Sequence, residues 1–496
     1  MALFSNPVIA DLLAKYRPIA AMTYSSSLLG WDLEINMPEA GAAARGKAQA
    51  ELELLRQKMT LDLAELVEKA EKQEKLSDAE KGIIRVLKRD LQFYQKVPPD
   101  LLEELQKAIT EAAIPWREAR EKSEFRIFQP HLEKITELKR KQAEHLDPST
   151  HPYNALLDLS EEGLTTSDLD KIFGELIPEL KRILAKTLAE GAFPEKHPLE
   201  DVDYDVPSMK RVNEKLLSLL GMPMNRFRLD VSTHPFSTRI AGDDVRITTR
   251  YEPKNFKAPI YGLIHECGHA LYELQVGHEL DMTPVGGGVS SGVHESQSRF
   301  WENIVGRSRQ FVSMCYPILK RSLSFLSLYE EDQVYYYINS VRPSLIRVEA
   351  DELTYNFHIA MRYELEKKLL EGTISVPELP TVWDDMIEEY IGKRPRNSAE
   401  GVLQDIHWSW GQYATFPSYS LGNVVAGMLW NILTEKQLLP IQGEESISPL
   451  KNWLAENLHK LGATYPPKEL LMRVFGHGYE PSGLVSYLEN KYLAVN

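Results

Sequence analysis

From Asn6 to about Leu146 the chain is rich in Leu, Ala, Glu, Lys and Gln and holds few internal prolines. Those residues lose little side-chain freedom on a helix, whereas proline removes a backbone donor and clashes with the preceding turn, so a stretch of this length and texture has few alternatives to helix. Several long antiparallel helices are expected there. Their apolar spacing is partly heptad-like, which a coiled coil would share, but an amphipathic face packed onto a larger core is the simpler reading. A helical cover over a groove satisfies both.

The segment DPSTHPYNALLDL at 147–159 carries turn formers and marks a break rather than a flexible linker. Helix restarts near Thr165, with Asp168 as the capping acid and Leu169, Ile172, Phe173, Leu176 and Ile177 at the i, i+3, i+4, i+7, i+8 spacing of a one-sided apolar face. Between Phe227 and Tyr251 the texture changes: RLDVSTHPFSTRIAGDDVRITTRY alternates Val, Ile and Thr around an AGDD turn signal, which predicts a small β-element. Pro253 and Pro259 punctuate the stretch after Tyr251, and Pro259 is placed to start a helix. The remainder reads as helix, broken by the Gly-rich loop TPVGGGVSSG at 283–292. A chain of 496 residues has length for two or three domains at about 150 residues each. One large helical body over 1–496, with 1–146 as a helical N-terminal cover, is equally open, and the sequence shows no internal repeat.

The formal charge of −15 disfavours a nucleic-acid or membrane-surface role, because phosphates are repelled unless a basic patch intervenes, and the runs KRKQ and GKRPR are short. Only two cysteines, Cys267 and Cys315, are present, which fits a reducing compartment better than a disulfide framework. The opening MALFSNPVIADLLAKYRPIA lacks the pattern of a signal peptide, and no apolar run approaches the roughly 20 residues that span a bilayer. A cytoplasmic location is the default expectation.

Residues 263–273 read LIHECGHALYE. On a helix, i and i+4 lie one turn apart on one face, so His265 and His269 can direct two imidazoles at one ion, while Glu266 sits beside them as a base for a metal-activated water. A catalytic zinc site takes a third protein ligand and keeps a fourth position open. The spacing that would supply a third histidine holds Tyr272 and Gln275 instead, so a carboxylate on a following helix is needed. Glu295, in VHESQSRFWEN, lies 26 residues after His269 and beyond the Gly-rich loop, which lets the chain reverse. Glu273, Glu279 and Asp281 are too near His269 for an easy return, and Glu302 lies two turns past Glu295. Glu295 is therefore the expected ligand. Asp351 and Asp405 are candidate partners for the far nitrogens of the imidazoles, each equally readable as a helix-capping or salt-bridging acid. Cys267 reads as a small buried side chain rather than a nucleophile.

HPF at 234–236, DVRIT at 244–248, HECGH, HESQ at 294–297, IRVEAD at 346–351 and GVLQDIHW at 401–408 occur in the order seen in the carboxypeptidase Taq family of zinc metallocarboxypeptidases. The chain resembles that family over essentially its whole length, including the N-terminal stretch GWDLEINMPEAGAAAR. The resemblance implies a mainly helical, neurolysin-like body with a deep active-site groove and the β-element beside the zinc helix, 147–496 forming its catalytic body. It also implies Zn2+, with Co2+ accepted by some members, a homodimer, and release of single C-terminal residues from peptides with broad preference.

By analogy with related helical zinc peptidases, His407 and Tyr419 are expected to face the scissile carbonyl, with Tyr413 a weaker contender. An exopeptidase must also bind the free C-terminal carboxylate, for which an arginine fork is suited. Arg347 and Arg246 lie in matching motifs, the alternative for each being an ion pair with Asp351 or Asp244. His234, Thr248 and Gln404 are further candidates for shaping that end of the site. Two other readings stand beside this one: an oligopeptidase or dipeptidyl carboxypeptidase with the same metal chemistry, and an inactive peptide-binding protein.

Overall fold

The computed structural model describes residues 4–494 except 148, 150 and 253. Pro253, and Pro148 and Thr150 within the expected break, lie outside the described residues. The mainly helical reading holds: nineteen α-helices and one three-stranded sheet make up the described residues' regular structure, with short 3-10 turns and one π-helical segment.

The chain divides into two compact units. The first comprises Met1–Gln95, His197–Ile338 and Leu429–Gly478. Its N-terminal helix, Pro7–Ile35, begins with Asn6 accepting a hydrogen bond from the Val8 amide and Pro7 in the first turn, where a missing N–H costs nothing. Ile9, Leu12 and Ile19 on that helix join Leu63 from the turn after the second helix (Ala42–Leu61), Val67 from the third (Ala64–Glu71), Ile83, Leu87 and Leu91 from the fourth (Asp78–Lys96), and Val276, Leu280 and Val285 from the chain after the HECGH helix, in one buried cluster. The N-terminal helices are thus anchored to the segment that carries the Gly-rich loop. Arg45 staples the second helix to the first, donating to the Leu29 carbonyl at 2.6 Å and to Asp32 at 2.7 Å.

The expected β-element is β1 (Phe227–Val231), β2 (Ser237–Ala241) and β3 (Asp244–Thr249) in the order β1-β3-β2. β3 runs parallel to β1 and antiparallel to β2, and the AGDD turn joins β2 to β3. Val245 and Ile247 are fully buried, so one side of β3 packs inward while Arg246, between them, faces the other way, as strand alternation requires.

The second unit comprises Lys96–Lys196, Asn339–Met428 and Tyr479–Asn496. The helices Pro99–Lys122 and Phe125–Leu146 pack along each other across a turn in which Ser123 takes the left-handed conformation, φ 58°. Thr166–Glu190 starts as the sequence predicts: Thr165 accepts from the Asp168 amide while the Asp168 carboxylate takes the Thr165 N–H, and Leu169, Ile172, Phe173 and Leu176 are buried.

Candidate metal centre and active site

The helix bearing HECGH runs Lys257–Leu274, two residues longer at its start than Pro259 implies, with Pro259 still inside the first turn where amides have no helical partner. Leu263, Ile264, Cys267, Ala270, Leu271 and Tyr272 bury the helix on nearly all sides. His265 and His269 emerge on one face with ring centroids 5.0 Å apart. Gly268 lets a second helix, Ser291–Arg299, approach to backbone contact. That helix begins where Ser290 accepts from the Val293 amide, and it places Glu295 in its second turn.

Glu295 Oε2 lies 3.4 Å from His269 Nε2 and 3.8 Å from His265 Nε2, and the three ligand atoms all fall within 4.8 Å of one another. Ligands bonded at about 2.0–2.1 Å with tetrahedral angles sit roughly 3.4 Å apart, so this donor set fits a divalent cation. His265, His269 and Glu295, predicted from spacing, are therefore brought together.

The far nitrogens are held by groups the sequence reading missed. His265 Nδ1 meets Glu302 Oε2 at 2.9 Å, and Glu302 in turn accepts from Arg307 at 3.0 Å and Arg299 at 3.3 Å. Arg299 Nε also donates to Glu295 Oε1 at 2.8 Å, tying ligand and outer carboxylate together. His269 Nδ1 meets His294 Nδ1 at 2.6 Å, and His294 Nε2 meets Glu273 Oε1 at 2.9 Å. Asp351 and Asp405 play no part in this. Asp351 caps a turn, accepting from the amides of Arg342, Leu353 and Thr354, and Asp405 pairs with arginines. Glu302 had a signal: seven residues make almost two whole turns, which returns it to the face of Glu295.

The electrostatics follow from burial and pairing. Burial opposes ionisation of Glu295 and Glu302, but Arg299 with the imidazoles for the first, and His265 with Arg299 and Arg307 for the second, hold both carboxylates well below the usual range. Burial acts against protonated His265, and Glu295 and Glu302 reverse it, raising its pKa. For His269 burial wins, pulling the value down to about 4 despite the bond to Glu295. Glu266 is 6% exposed, and burial, assisted by Glu295, pushes its carboxyl up to about 7 against the pull of His265. Burial also pushes the Cys267 thiol far up, which removes it as a nucleophile.

Arg246 belongs to the same unit. It makes a two-pronged pair with Asp244 at 2.8 and 2.7 Å, and its guanidinium lies 4.5 Å from the Trp31 ring centre. Arg228, its neighbour across the β1–β3 ladder, lies 4.9 Å from the same ring. The N-terminal GWD stretch therefore supplies a buried indole that carries the DVRIT arginine. Thr248 is buried and takes the Phe236 amide at 3.0 Å, joining the HPF and DVRIT motifs. His234 offers its carbonyl to Ser232 at 2.6 Å.

The remaining candidates cluster in the second unit. Arg347, 8% exposed, pairs with Asp405 at 2.9 Å rather than with Asp351, and reaches the Tyr355 hydroxyl at 3.1 Å. Asp405 is shared with the fully buried Arg362 at 2.6 Å, and the two arginines hold it well below the usual carboxylate range against its burial. The Gln404 amide carbonyl accepts from the Arg347 amide at 2.9 Å and from Arg362 at 2.8 Å, so Gln404 props the arginines. His407 Nε2 lies 3.2 Å from the Tyr419 hydroxyl. Burial, with Arg347 adding, pulls His407 down to about 4, so it is a neutral imidazole at pH 7. Tyr413 lies in the core, its hydroxyl 2.7 Å from that of Thr136.

Two imidazoles a helical turn apart, a carboxylate from a second helix and a buried carboxyl beside them define a metal-dependent peptidase of the HExxH type. The chain belongs to the carboxypeptidase Taq (M32) metallopeptidase family, whose model matches residues 11–492, as the six ordered motifs indicated. It is 45% identical to the thermostable carboxypeptidase 1 of Pyrococcus furiosus over 99% of both chains, and 37% identical to that of Thermus thermophilus over 98% of both. A solved structure of the P. furiosus carboxypeptidase superposes with a TM-score of 0.96, covering 99% of this chain and 100% of that one. The M32 carboxypeptidase of Deinococcus radiodurans, 31% identical, gives 0.93 over 98% and 99%. The protein is a metallocarboxypeptidase that uses a divalent metal.

Proposed function

We propose that the chain, acting as one peptidase module over 1–496, releases single amino acids from the free C-terminus of peptides with broad side-chain preference, using Zn2+ with Co2+ as a working substitute. The observation that carries this reading is the convergence of His265 Nε2, His269 Nε2 and Glu295 Oε2 next to the buried Glu266 carboxyl. A divalent cation bound there supplies Lewis acidity, polarising the scissile carbonyl and making a water nucleophilic near neutral pH. Glu266, buried beside the ligand set, takes the proton of the attacking water and returns it to the leaving amine. His407, neutral and therefore able to donate through one ring nitrogen, and the Tyr419 hydroxyl stabilise the negative charge that develops on the carbonyl oxygen. Arg246 and Arg347, each aligned by an acidic partner, are the groups for the terminal carboxylate.

Supporting the exopeptidase reading over an oligopeptidase or an inactive binder are the intact ligand set and the carboxypeptidases to which the chain is similar. We place it in the cytoplasm as a homodimer. Two free, buried cysteines agree with a reducing compartment, no helix among the described residues is long and apolar enough to cross a membrane, and the formal charge of −15 disfavours nucleic acid. The test compares a free-acid peptide with its C-terminally amidated twin, with and without chelator, reading products by mass and bound metal by elemental analysis. Single-residue loss from the free acid alone, abolished by chelator and restored best by zinc, is the expected result. Two-residue or internal fragments, or no cleavage by metal-replete protein, overturn it.

A further inference from the structure

The Gly-rich loop at 283–292 has no part in the chemistry above, yet it touches the metal centre through one side chain. A methyl group at Gly288 would stand 2.7 Å from His294 Cδ2 and 3.0 Å from Tyr272 Cε1, so only glycine lets the His294 ring lie where it does. The Gly288 amide donates to Glu273 Oε1 at 3.2 Å, and the same oxygen meets His294 Nε2 at 2.9 Å. Arg239 Nε stands 3.3 Å from the other Glu273 oxygen, and Arg239 is itself held by Asp281 at 2.7 Å. The ring centroids of His294 and His269 lie 4.6 Å apart with the rings tilted by 35°, their Nδ1 atoms 2.6 Å apart.

Proton bookkeeping gives this chain a direction. A histidine that binds a cation through Nε2 carries its proton on Nδ1. His269 Nδ1–H must then donate, His294 Nδ1 must accept, and the His294 proton is left on Nε2, where Glu273 accepts it. The two ligating imidazoles are therefore anchored differently. His265 donates directly to a carboxylate gripped by two arginines, whereas His269 reaches its carboxylate only through a second imidazole.

We infer that His294, held by Gly288 and Glu273, is a positioning residue that orients His269, so that the Gly-rich loop sets metal affinity without touching the metal. This rests on the metal-site reading above. Loss of an outer hydrogen-bonding partner typically weakens metal binding by about 10–100-fold.

The experiment measures zinc dissociation constants by chelator competition, and the visible absorption of the Co2+-loaded protein, for the wild type and for His294→Phe, His294→Gln, Gly288→Ala and His269→Ala. His294→Phe is expected to weaken zinc by about 10–100-fold and to change the cobalt spectrum. His294→Gln, whose amide can accept from one side and donate to the other, is expected to recover most of the loss. Gly288→Ala is expected to weaken zinc in the same sense, and it decides the matter if His294→Phe does not fold. His294→Phe, or in its place Gly288→Ala, binding zinc as the wild type does with an unchanged cobalt spectrum overturns the inference. Should His269→Ala also bind like the wild type, the metal-site reading itself fails, which keeps the two failures apart.

Discussion

A methyl group on the Cα of Gly268 would lie 2.4 Å from the Gln297 carbonyl oxygen and 2.6 Å from the Ser298 Cα. The helix that carries the two imidazoles and the helix that carries Glu295 are therefore in backbone contact, and the third ligand reaches the other two because of it. Replacing glycine by alanine inside a helix normally stabilises by about 1 kcal/mol. At Gly268 the sign reverses: overpacking costs about 1–3 kcal/mol and prises Glu295 away from His269. Denaturant unfolding and zinc titration of Gly268→Ala are expected to show lower stability and weaker metal binding together. A stabilised variant with wild-type affinity contradicts this.

Glu266→Gln separates the base from the ligands. The carboxamide is nearly isosteric, and Glu266 is outside the group of converging donor atoms, so zinc content is expected to be unchanged. Turnover is expected to fall by about 10²–10⁴, the usual worth of a positioned general base. Metal analysis and single-turnover peptide cleavage on the same preparation check both halves.

His265, His269 and Glu295 were legible in the sequence because helical periodicity fixes where i and i+4 point, and because the loop length allows one reversal. The AGDD turn and the Thr165–Asp168 cap were legible for the same reason: their physics is local. Glu302, two turns beyond Glu295, looks distant along the chain but has its carboxyl on the same face, and it lies within the π-helical Phe300–Val305 segment. His294 was hidden by its neighbour, since a residue next to a ligand on a helix normally points elsewhere. The pairing of Arg347 with Asp405 spans 58 residues and has no local pattern to betray it.

The two arginines are expected to respond differently to truncation. Arg246 is mostly buried, stacked on Trp31 and paired with a partly exposed Asp244, so Arg246→Ala should cost roughly 1–2 kcal/mol of stability. Arg347 is buried against Asp405, and its removal leaves that carboxylate with Arg362 alone. Arg347→Ala is expected to lower stability by about 3–5 kcal/mol as well as activity. For Arg246→Ala, kcat/KM on free-acid peptides is expected to fall by about 10–100-fold, mostly through KM, consistent with loss of a charged hydrogen bond of roughly 1.5–3 kcal/mol. Unfolding curves beside steady-state kinetics distinguish the two, and an Arg246→Ala enzyme with wild-type KM removes that residue from substrate binding.

Stability should also fall steeply in acid, and His459 gives one identifiable cause. Its ring is fully buried between the amide side chains of Gln275, at 2.6 Å, and Gln297, at 2.8 Å. A neutral imidazole has one N–H, so one amide accepts from it and the other turns to donate. Burial, with His294 adding, pulls its pKa down to about 3, against about 6.5 in the unfolded chain. Between those values the unfolded state holds the extra proton, so the stability His459 contributes is intact above pH 6.5 and is lost as pH falls towards 3. The slope is about 1.4 kcal/mol per pH unit from this group. His459→Asn keeps a donor and an acceptor but cannot titrate, so its unfolding free energy, measured at several pH values between 4 and 6, is expected to fall less steeply than the wild type by nearly one proton. Equal slopes would mean that His459 is protonated in the folded protein, with both amide oxygens accepting from it.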